Sequence, residues 1–450
     1  MSFLLYLGSS ARNPEAAGRR AGAPVGEAEY SYRFLLDAYR DMLAETETVI
    51  EIDDPAQADR YHVHFTALGE PCTLLAFCPP NLAPVGLACP TVCLFAWEFT
   101  TLPTGGWSKD PREDWRHVFL AHGRSIAMSE FAAAQVRAAM GDYCEVAAIP
   151  APVYDAWASV EPRRMTDGQA RVLRIGAGVV RDTRLTGIGQ TAPFWPLRDA
   201  PALQIPPVPP LTVPPAHVPD ALLHPVHEIV FDGMVFTTIF APKDGRKNWR
   251  DLVSAFIWAF RDTADATLVV KIIHREPESF LPHFENLLFK CGPFACRVVA
   301  IGAWLDDDQM RDLASVSDII VNTSHGEGMC LPLAEFMSTG APAIAPDHTA
   351  MADYITPDNA FIVRGTLEHN VWPHDPQAMF RTMRYRIEWD SIVEAYESAA
   401  AMLKGPPERR LAMSHAARQT MHDYCSRARI GKTLRRFLGT ASFAETPEEV

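Results

Sequence analysis

The sequence predicts an α/β protein with two parallel-sheet domains, and three observations support this prediction. Short apolar runs that end in turns alternate with amphipathic helical patterns over residues 1–152. The same alternation returns near residue 228, after a stretch rich in proline. At 450 residues, the chain is also too long for one typical domain. Because strands that alternate with helices form parallel sheets, two doubly wound domains are expected.

The composition of the chain excludes several classes of protein. The net charge of -14 argues against a protein that binds nucleic-acid duplexes, so no nucleic-acid partner is expected. The nine cysteines are an odd number without paired C-x-x-C spacing. They predict neither a zinc site nor a disulfide framework, and a reducing cytoplasm suits them. The N-terminus is a poor signal peptide, and no apolar run approaches the roughly 20 residues that span a bilayer. A cytoplasmic protein is therefore expected.

The first domain is predicted over residues 1–152. Its strands are expected at residues 3–7, 61–65, 91–98, 126–128 and 145–149, and its helices at 30–43 and 130–140. Ser129 is a candidate cap for the second of these helices. The prediction for 61–65 depends on alternation alone, and it would place His62 and His64 on one face of a strand. These rings could bind a metal, but no third ligand has suitable spacing, so an edge or core role is favoured.

A carboxylate ends one of these strands. Glu98 follows the strongly apolar run from Thr91, and the carboxyl ends of strands in an α/β domain are where ligands bind. Glu98 is therefore a candidate for contacting a ligand. The alternative is that it caps a loop.

Residues 153–227 interrupt the α/β pattern with a high density of proline. The prolines are Pro193, Pro196, Pro201, Pro206, Pro207, Pro209, Pro210, Pro214, Pro215, Pro219 and Pro225. Prolines at this density exclude helix and central strand and favour an extended polyproline II path. The stretch is interpreted as an insertion or a strap between the domains.

The second domain is predicted over residues 228–410, followed by a C-terminal helical segment over 411–450 that crosses back to the first domain. Its strands are expected at 237–240, 268–273, 298–301, 318–321 and 343–345, with helices at 249–260 and from 306. Helices are also expected from about residue 376 to 438. Arg246 and Lys247 lie between a strand end and a helix start, where basic side chains can reach a diphosphate.

The segment from Val321 to Ile355 organises this domain. Glu327 precedes a predicted helix that begins near Pro332 and stops at Gly340, and Glu335 lies one turn inside it. A helix start offers free N–H groups and a positive dipole end, which together hold a diphosphate. A carboxylate on either side could then accept hydrogen bonds from a sugar and from a ribose. The alternative is that both glutamates are ordinary solvated acids beside a turn.

A longer motif surrounds these two glutamates. It reads Glu327-Gly328-Met329-Cys330-Leu331-Pro332-Leu333-Ala334-Glu335-Phe336-Met337, followed by Gly340, Pro342 and Ile344. This motif resembles the signature of the retaining glycosyltransferases of the GT-B fold, in particular family four (glycosyl transferases group 1). The resemblance implies two Rossmann-like domains with parallel sheets facing across a cleft. It also implies that the first domain binds the acceptor and the second a nucleotide-diphosphate-sugar.

The resemblance also implies roles for single residues. Glu327, Lys247 and Arg246 would be catalytic, with Glu327 near the anomeric carbon and the two cations on the diphosphate. Whether Glu327 is a nucleophile or an orienting group stays open. Donor-binding residues would be Glu335 on the ribose, Gly328, Met329, Cys330 and Leu331 at the helix start, Gly26 in a glycine loop, and Trp304 near the base. The alternatives are an ordinary turn glycine at Gly26 and core packing for Trp304. Glu98 is the acceptor-side candidate.

Two positions depart from the family pattern. The arginine that commonly lies six residues before the lysine is replaced by Ala241, so Arg246 would act alone or reach the diphosphate from a different direction. Cys330 replaces the usual second glycine. If that backbone needs a positive φ, a cysteine costs on the order of 1 kcal/mol.

The expected function is transfer of a hexose-type sugar to a glycan, a lipid-linked acceptor or another hydroxyl acceptor, with retention, as in polysaccharide biosynthesis. No metal or other cofactor is expected, because no Asp-x-Asp element lies in a suitable loop. The alternatives are a nucleotide-sugar epimerase of the same fold and a non-catalytic protein that binds nucleotide-sugars or glycans. The basic C-terminal helix could contact a membrane peripherally, or it could pack across the first domain.

Overall fold

Two large sheets of mainly parallel strands, connected through helices, form the two domains of the protein. The structure is a computed structural model that describes residues 1–8, 28–104, 110–163, 170–176, 178–189, 226–372 and 380–439. All statements below concern these residues.

The first sheet has six strands, all parallel, in the order β2-β1-β3-β4-β5-β6. The strands are β1 (Ser2–Leu7), β2 (Thr48–Glu51), β3 (Cys72–Phe77), β4 (Thr91–Phe95), β5 (Arg124–Ala127) and β6 (Glu145–Ala148), and the helices are α1 (Ala28–Leu43), α2 (Gln57–Ala67), α3 (Trp115–His122) and α4 (Glu130–Met140). Every residue of β3 and β4 is buried, as expected for central strands covered on both faces. Ser129 caps α4, since its Oγ accepts a hydrogen bond from the Ala132 N–H at 3.2 Å.

The prediction of a strand at residues 61–65 is wrong, because α2 covers this segment. The buried residues of α2 are Ala58 and Phe65, seven positions apart, which is a helical repeat. An alternation of apolar and polar residues over five positions was too short to distinguish a strand from a helix. His62 and His64 therefore do not share a face, since residues two apart on a helix point in different directions.

The stretch between the two sheets contains short elements that were not predicted. They are α5 (Tyr154–Trp157), β7 (Arg171–Ile175), β8 (Gly178–Asp182), α6 (Thr183–Thr186) and β9 (His227–Phe231). β7 and β9 form an antiparallel pair. The segment from 171 to 186 contains no proline, so nothing in it opposes a strand or a helix. The prolines from Pro193 to Pro225, on which the polyproline prediction depends, lie outside the described residues.

The second sheet has seven strands in the order β15-β14-β13-β10-β11-β12-β8. Its further strands are β10 (Met234–Phe240), β11 (Ala266–Ile272), β12 (Arg297–Ala303), β13 (Ile319–Val321), β14 (Ala343–Ala345) and β15 (Ala360–Ile362), and its helices are α7 (Trp249–Ala259), α8 (Pro277–Cys291), α9 (Asp307–Val316) and α10 (Leu331–Ser338). All neighbours are parallel except β8, which pairs antiparallel with β12 at the edge.

A buried ion pair ties β7 to the second sheet. Arg171 and Asp318 are 3% and 1% exposed, and their Nη1 and Oδ2 atoms are 2.8 Å apart. The same carboxylate oxygen accepts a hydrogen bond from the Val235 N–H at 2.8 Å. Because a buried charge without its partner costs several kcal/mol, this pair holds the edge of the domain in a defined position.

The C-terminal part contains β16 (Gly365–Val371), β17 (Arg381–Ile387), α11 (Trp389–Lys404), α12 (Pro407–Cys425) and α13 (Arg427–Phe437). The β16–β17 hairpin was not predicted, and the helices begin only after it. The hairpin reaches the first domain, where Thr101 Oγ1 donates to the Arg381 carbonyl and the Met383 N–H donates to Thr100 Oγ1, both at 3.0 Å. Among the described helices, none is long and apolar enough to cross a membrane.

The last helix packs on the first domain. Arg427 of α13 forms an ion pair with Glu45 at 2.5 Å, and its N–H donates to Asp155 Oδ2 at 2.7 Å. Ile430 and Leu434 are buried. This geometry agrees with the reading in which the C-terminal helix packs across the first domain.

Candidate active site

The candidate site lies where the carboxyl ends of the two sheets face each other. The loop after β13 carries Gly326 and Gly328, and it contacts the segment after β4. A Cβ atom added to Gly326 would lie 3.0 Å from the Glu98 carbonyl oxygen, and one added to Gly328 would lie 2.7 Å from Ala96 Cβ. The two glycines therefore allow the loops of the two domains to approach each other closely.

Glu327 lies at the centre of this contact and is 3% exposed. Its Oε2 accepts a hydrogen bond from Arg246 Nη1 at 2.8 Å, and its Oε1 accepts one from Lys247 Nζ at 2.7 Å. Two neutral groups also donate to Oε1: Ser324 Oγ at 2.6 Å and Asn322 Nδ2 at 3.1 Å. Burial alone would raise the pKa of Glu327, but Lys247, Arg246 and these hydrogen bonds outweigh it and lower the pKa well below its usual range. Glu327 is therefore a fixed, ionised carboxylate.

Arg246 connects the two domains. Its Nε lies 3.0 Å from Glu98 Oε1 in the first domain and 2.8 Å from Asp244 Oδ2 in the second. The predicted acceptor-side residue Glu98 is thus brought against the predicted diphosphate residue. Burial raises the pKa of Glu98 more than Arg246 lowers it, and Asp244 and Glu327 raise it further. Three carboxylates here share two cations, so one carboxylate has no counter-ion of its own.

The start of α10 leaves backbone donors available. Within the described part of the chain, no group accepts a hydrogen bond from the N–H groups of Gly328, Met329, Cys330 or Leu331. Cys330 is the N-cap residue and has a φ of 62°, the positive value that a glycine would adopt without strain. Its Sγ accepts a hydrogen bond from Asn322 Nδ2 at 3.0 Å. The Met329 side chain is buried and faces Ala151, so only its backbone is available to a ligand.

Glu335 has a different environment from Glu327. It is partly exposed on the first turns of α10, and no described residue hydrogen-bonds its carboxylate. Burial and the charge of Asp307 raise its pKa to about 7, while Arg311 lowers it in part. Both neighbours lie on α9, which follows the turn at Trp304. Glu335 therefore faces the side of the cleft on which the predicted base contact lies.

The remaining predicted residues are placed as follows. Trp304 directly follows β12 and is 54% exposed. Leu331 is partly buried at the start of α10. The predicted residue Gly26 lies outside the described residues.

The sequence did not predict a role for Thr349, which supports the Glu327 loop from behind. Its φ is 53°, an unusual value for a β-branched residue. Its Oγ1 accepts a hydrogen bond from the Glu327 N–H at 3.0 Å and donates one to the His348 carbonyl at 2.7 Å. The Thr349 hydroxyl thus fixes the main chain of Glu327. No local signal in the sequence identifies this position, since it depends on a contact across 22 residues.

Asn322 and Ser324 were also missed. They follow the buried strand β13 and hold the Glu327 carboxylate from its own loop. The sequence could have predicted both residues, because small polar residues directly after a buried parallel strand lie at the edge of the sheet where ligands bind.

Comparisons with known proteins identify the fold. Neither a family model nor a curated protein matches the sequence. Solved structures do match over 98% of the chain. A glycosyltransferase from Rickettsia africae matches with a TM-score of 0.55 at 11% identity over 99% of its length. HepE from Anabaena in complex with UDP-glucose and sucrose-phosphate synthase from Thermosynechococcus elongatus both match with a TM-score of 0.52, at 10% and 12% identity, over 100% of theirs.

These likenesses show that the chain has the GT-B fold, with two Rossmann-like domains facing across a cleft. The predicted fold class is therefore confirmed. At this level of identity, the likeness concerns the fold alone.

Proposed function

We propose that the protein is a glycosyltransferase that moves a hexose-type sugar from a nucleotide-diphosphate-sugar to a hydroxyl acceptor, with retention. One observation supports the proposal: an ionised Glu327 with two cations, N–H groups at a helix start without acceptors in the described chain, and Glu335 without a hydrogen-bond partner there follow one another in this order along the chain. A donor has the same order of groups, namely sugar, diphosphate and ribose. HepE, which shares the fold, was solved with UDP-glucose.

The donor diphosphate would occupy the start of α10. The N–H groups of Gly328, Met329, Cys330 and Leu331 would donate to its oxygens, and the helix dipole would add to the attraction. Glu335 would accept hydrogen bonds from the ribose hydroxyls. Trp304 would contact the base, and Gly26 would allow a loop of the first domain to approach the diphosphate.

In the transfer step, the acceptor hydroxyl oxygen would bond to the anomeric carbon while the bond from this carbon to the diphosphate oxygen breaks. Negative charge develops on the leaving phosphate, which would take up the hydroxyl proton. Lys247 and Arg246 would stabilise this charge, the electrostatic contribution that is often the largest in catalysis. We assign Glu327 an orienting role beside the anomeric carbon. Its two oxygens already accept four hydrogen bonds, which weakens a carboxylate as a nucleophile.

The acceptor would bind on the side of the first domain, near Glu98, and would be a glycan, a lipid-linked sugar or another hydroxyl compound. No metal is expected in the transfer, because Lys247 and Arg246 supply the positive charge. Arg429, Lys432 and Arg436 of α13 are exposed and would provide a peripheral contact with an anionic membrane. Such a contact suits a protein of the cytoplasmic face.

The test is a screen of UDP-, GDP- and ADP-sugars, starting with UDP-glucose, against a panel of glycan and lipid-linked acceptors. We expect acceptor-dependent release of the nucleoside diphosphate that persists in EDTA. NMR of the product should show the anomeric configuration of the donor. Glu327→Gln should abolish the release, whereas Glu397→Gln, an exposed glutamate on α11, should not.

Two outcomes would overturn the proposal. Conversion of the donor sugar without any acceptor would identify an epimerase. Binding of a nucleotide-sugar without hydrolysis or transfer for any donor in the panel would identify a binding protein.

A further inference from the structure

A second cluster of reactive side chains lies in the first domain, far from the cleft along the strands. Cys72 is the first residue of β3, Cys89 precedes β4, and His62 is on α2. One ring nitrogen of His62 and the two Sγ atoms lie within 4.8 Å of one another. The cluster is at the amino ends of the parallel strands, whereas the candidate active site is at their carboxyl ends.

The ligand chemistry of this cluster favours zinc. Two thiolates and one imidazole form a set that Zn²⁺ accepts in tetrahedral coordination. Zn–S and Zn–N distances of about 2.3 and 2.0 Å require ligand atoms about 3.5 to 3.8 Å apart. Side-chain rotation of the order of 1 Å would bring the observed atoms to that separation.

Two further observations point to a ligand rather than to ordinary packing. The Nδ1 atom of His62 is buried and has no hydrogen-bond partner in the described chain. A buried polar atom without a partner is unfavourable, and an ion bound through Nδ1 would remove this cost. The Cys89 loop is also held in place: its N–H donates to Asp59 Oδ1, and Thr91 Oγ1 donates to its carbonyl, both at 2.9 Å.

Asp59 and His62 both lie on α2. This helix therefore carries one proposed ligand, His62, and also the carboxylate of Asp59, which holds the loop of a second ligand, Cys89. Such outer partners are typical of metal sites. A cavity of about 430 Å³ adjoins the cluster and is lined by His62 and Cys72, together with His122 and Arg124. The cavity supplies an entry path and room for a water molecule as the fourth ligand.

We propose that His62, Cys72 and Cys89 form a zinc site that ties α2 to the amino ends of β3 and β4, with a solvent ligand in the fourth position. The sequence predicted no zinc site, since neither paired cysteines nor histidines occur at the usual spacing. The fold instead collects the three ligands from a helix, a strand and a loop. The site is separate from the transfer chemistry and does not depend on it.

The test uses the full-length chain, reduced and stripped of metal. Zn²⁺ is titrated in competition with a chromophoric chelator, and we expect one ion per chain. His62→Gln, Cys72→Ser and Cys89→Ser should each weaken binding at least about a hundredfold, since loss of outer partners alone costs 10–100-fold. His64→Gln, two residues away on the same helix, and Cys291→Ser, in the second domain, are matched controls and should bind as the wild type does.

A second measurement on the wild-type chain covers the case in which a variant does not fold. Co²⁺ in place of Zn²⁺ should give the d–d absorption of a tetrahedral site and the charge-transfer band of two thiolates. Absence of stoichiometric Zn²⁺ binding, or a Co²⁺ spectrum without thiolate charge transfer, would overturn the proposal. A Cys72–Cys89 disulfide in the isolated protein, found by peptide mapping, would do the same.

Discussion

Glu327 and Glu335 belong to one loop-and-helix segment, but the two carboxylates have opposite environments. Glu327 is buried, accepts hydrogen bonds from four side chains and has a pKa well below its usual range. Glu335 has no hydrogen-bond partner among the described residues, and its pKa is raised to about 7. Both differences arise from other segments: Arg246 and Lys247 beside the first carboxylate, and α9 beside the second.

The contrast teaches how one residue type can serve two purposes in one site. A carboxylate whose oxygens are saturated is a fixed negative charge, suited to orient a sugar and to hold cations. A carboxylate without partners has free acceptor capacity, suited to a ligand that brings donors of its own. Acids with pKa values pushed apart by their surroundings commonly have different roles. The predictions below test this division.

The largest effect is expected for Glu327→Ala. Without this carboxylate, Lys247 and Arg246 lose the group that positions them, and the transition state loses an orienting contact. We expect kcat to fall by about 10²- to 10³-fold or more, with a smaller change in donor KM. Steady-state kinetics with the donor found in the screen would measure this.

The same substitution should destabilise the domain by about 3 kcal/mol, because it removes the carboxylate that pairs with the partly buried Lys247 and one of the three that pair with Arg246. Urea denaturation would measure this, and Glu397→Ala is the control. An unchanged kcat would remove Glu327 from the mechanism and end the comparison.

The second-largest effect is expected for Glu335→Gln, which should raise the donor KM by an amount that depends on pH. At pH 8 the wild-type carboxylate is ionised and would accept hydrogen bonds from the ribose of the proposed donor; at pH 6 it is largely protonated. We therefore expect the variant to raise donor KM by about tenfold or more at pH 8, and by much less at pH 6. A ratio of KM values that stays constant from pH 6 to 8 would contradict the role of Glu335.

Unfolding without donor gives an independent measure of the same group. The pKa of Glu335 rises from 4.5 to about 7 on folding, so the folded state holds the proton more tightly. The contribution of Glu335 to stability is full below pH 4.5 and is lost as the pH rises through 7. At pH 8, Glu335→Gln should therefore be more stable than the wild type by about 3 kcal/mol, and at pH 4 the two should be alike.

A smaller effect is expected for Glu98→Gln. Glu98 and Glu327 both bind Arg246, and Glu98 adds a negative charge near the proposed diphosphate position. Its removal should tighten UDP binding by about threefold to tenfold, measured by calorimetry. Glu130→Gln, an exposed acid of the first domain, is the control. Weaker UDP binding would mean that Glu98 supports Arg246 rather than competing for it.

The smallest effect is expected at Cys330, between the two glutamates. Cys330→Gly should relieve the strain at a φ of 62°, and part of this gain is offset by the greater freedom of glycine when unfolded. We expect a gain of about 0.5 kcal/mol in the free energy of unfolding. Cys330→Ala keeps the Cβ atom but loses the thiol, so the difference between the two variants isolates the backbone strain. Equal stability of both would argue against strain here.

Much of the fold could be predicted from the sequence, because the strands are short apolar runs and the helices carry local signals. Ser129 caps α4 as expected, and Ala343–Ala345 is a strand with the predicted bounds. The strand predicted at residues 61–65 is wrong, since a weak alternation competed with a helical repeat. The β16–β17 hairpin was missed because its strands are only partly buried and lack a strong apolar pattern.

The sequence by itself determined the alternation of strands and helices over much of both domains, the position of Glu327 before a helix and that of Glu335 within it. These features depend on neighbours along the chain, such as Pro332 at the helix start. Only the tertiary structure decided that Arg246 joins Glu98 to Glu327, that Thr349 holds the loop, and that His62 meets two cysteines. Each of these depends on residues far apart in sequence, whose meeting is set by how the sheets and helices pack.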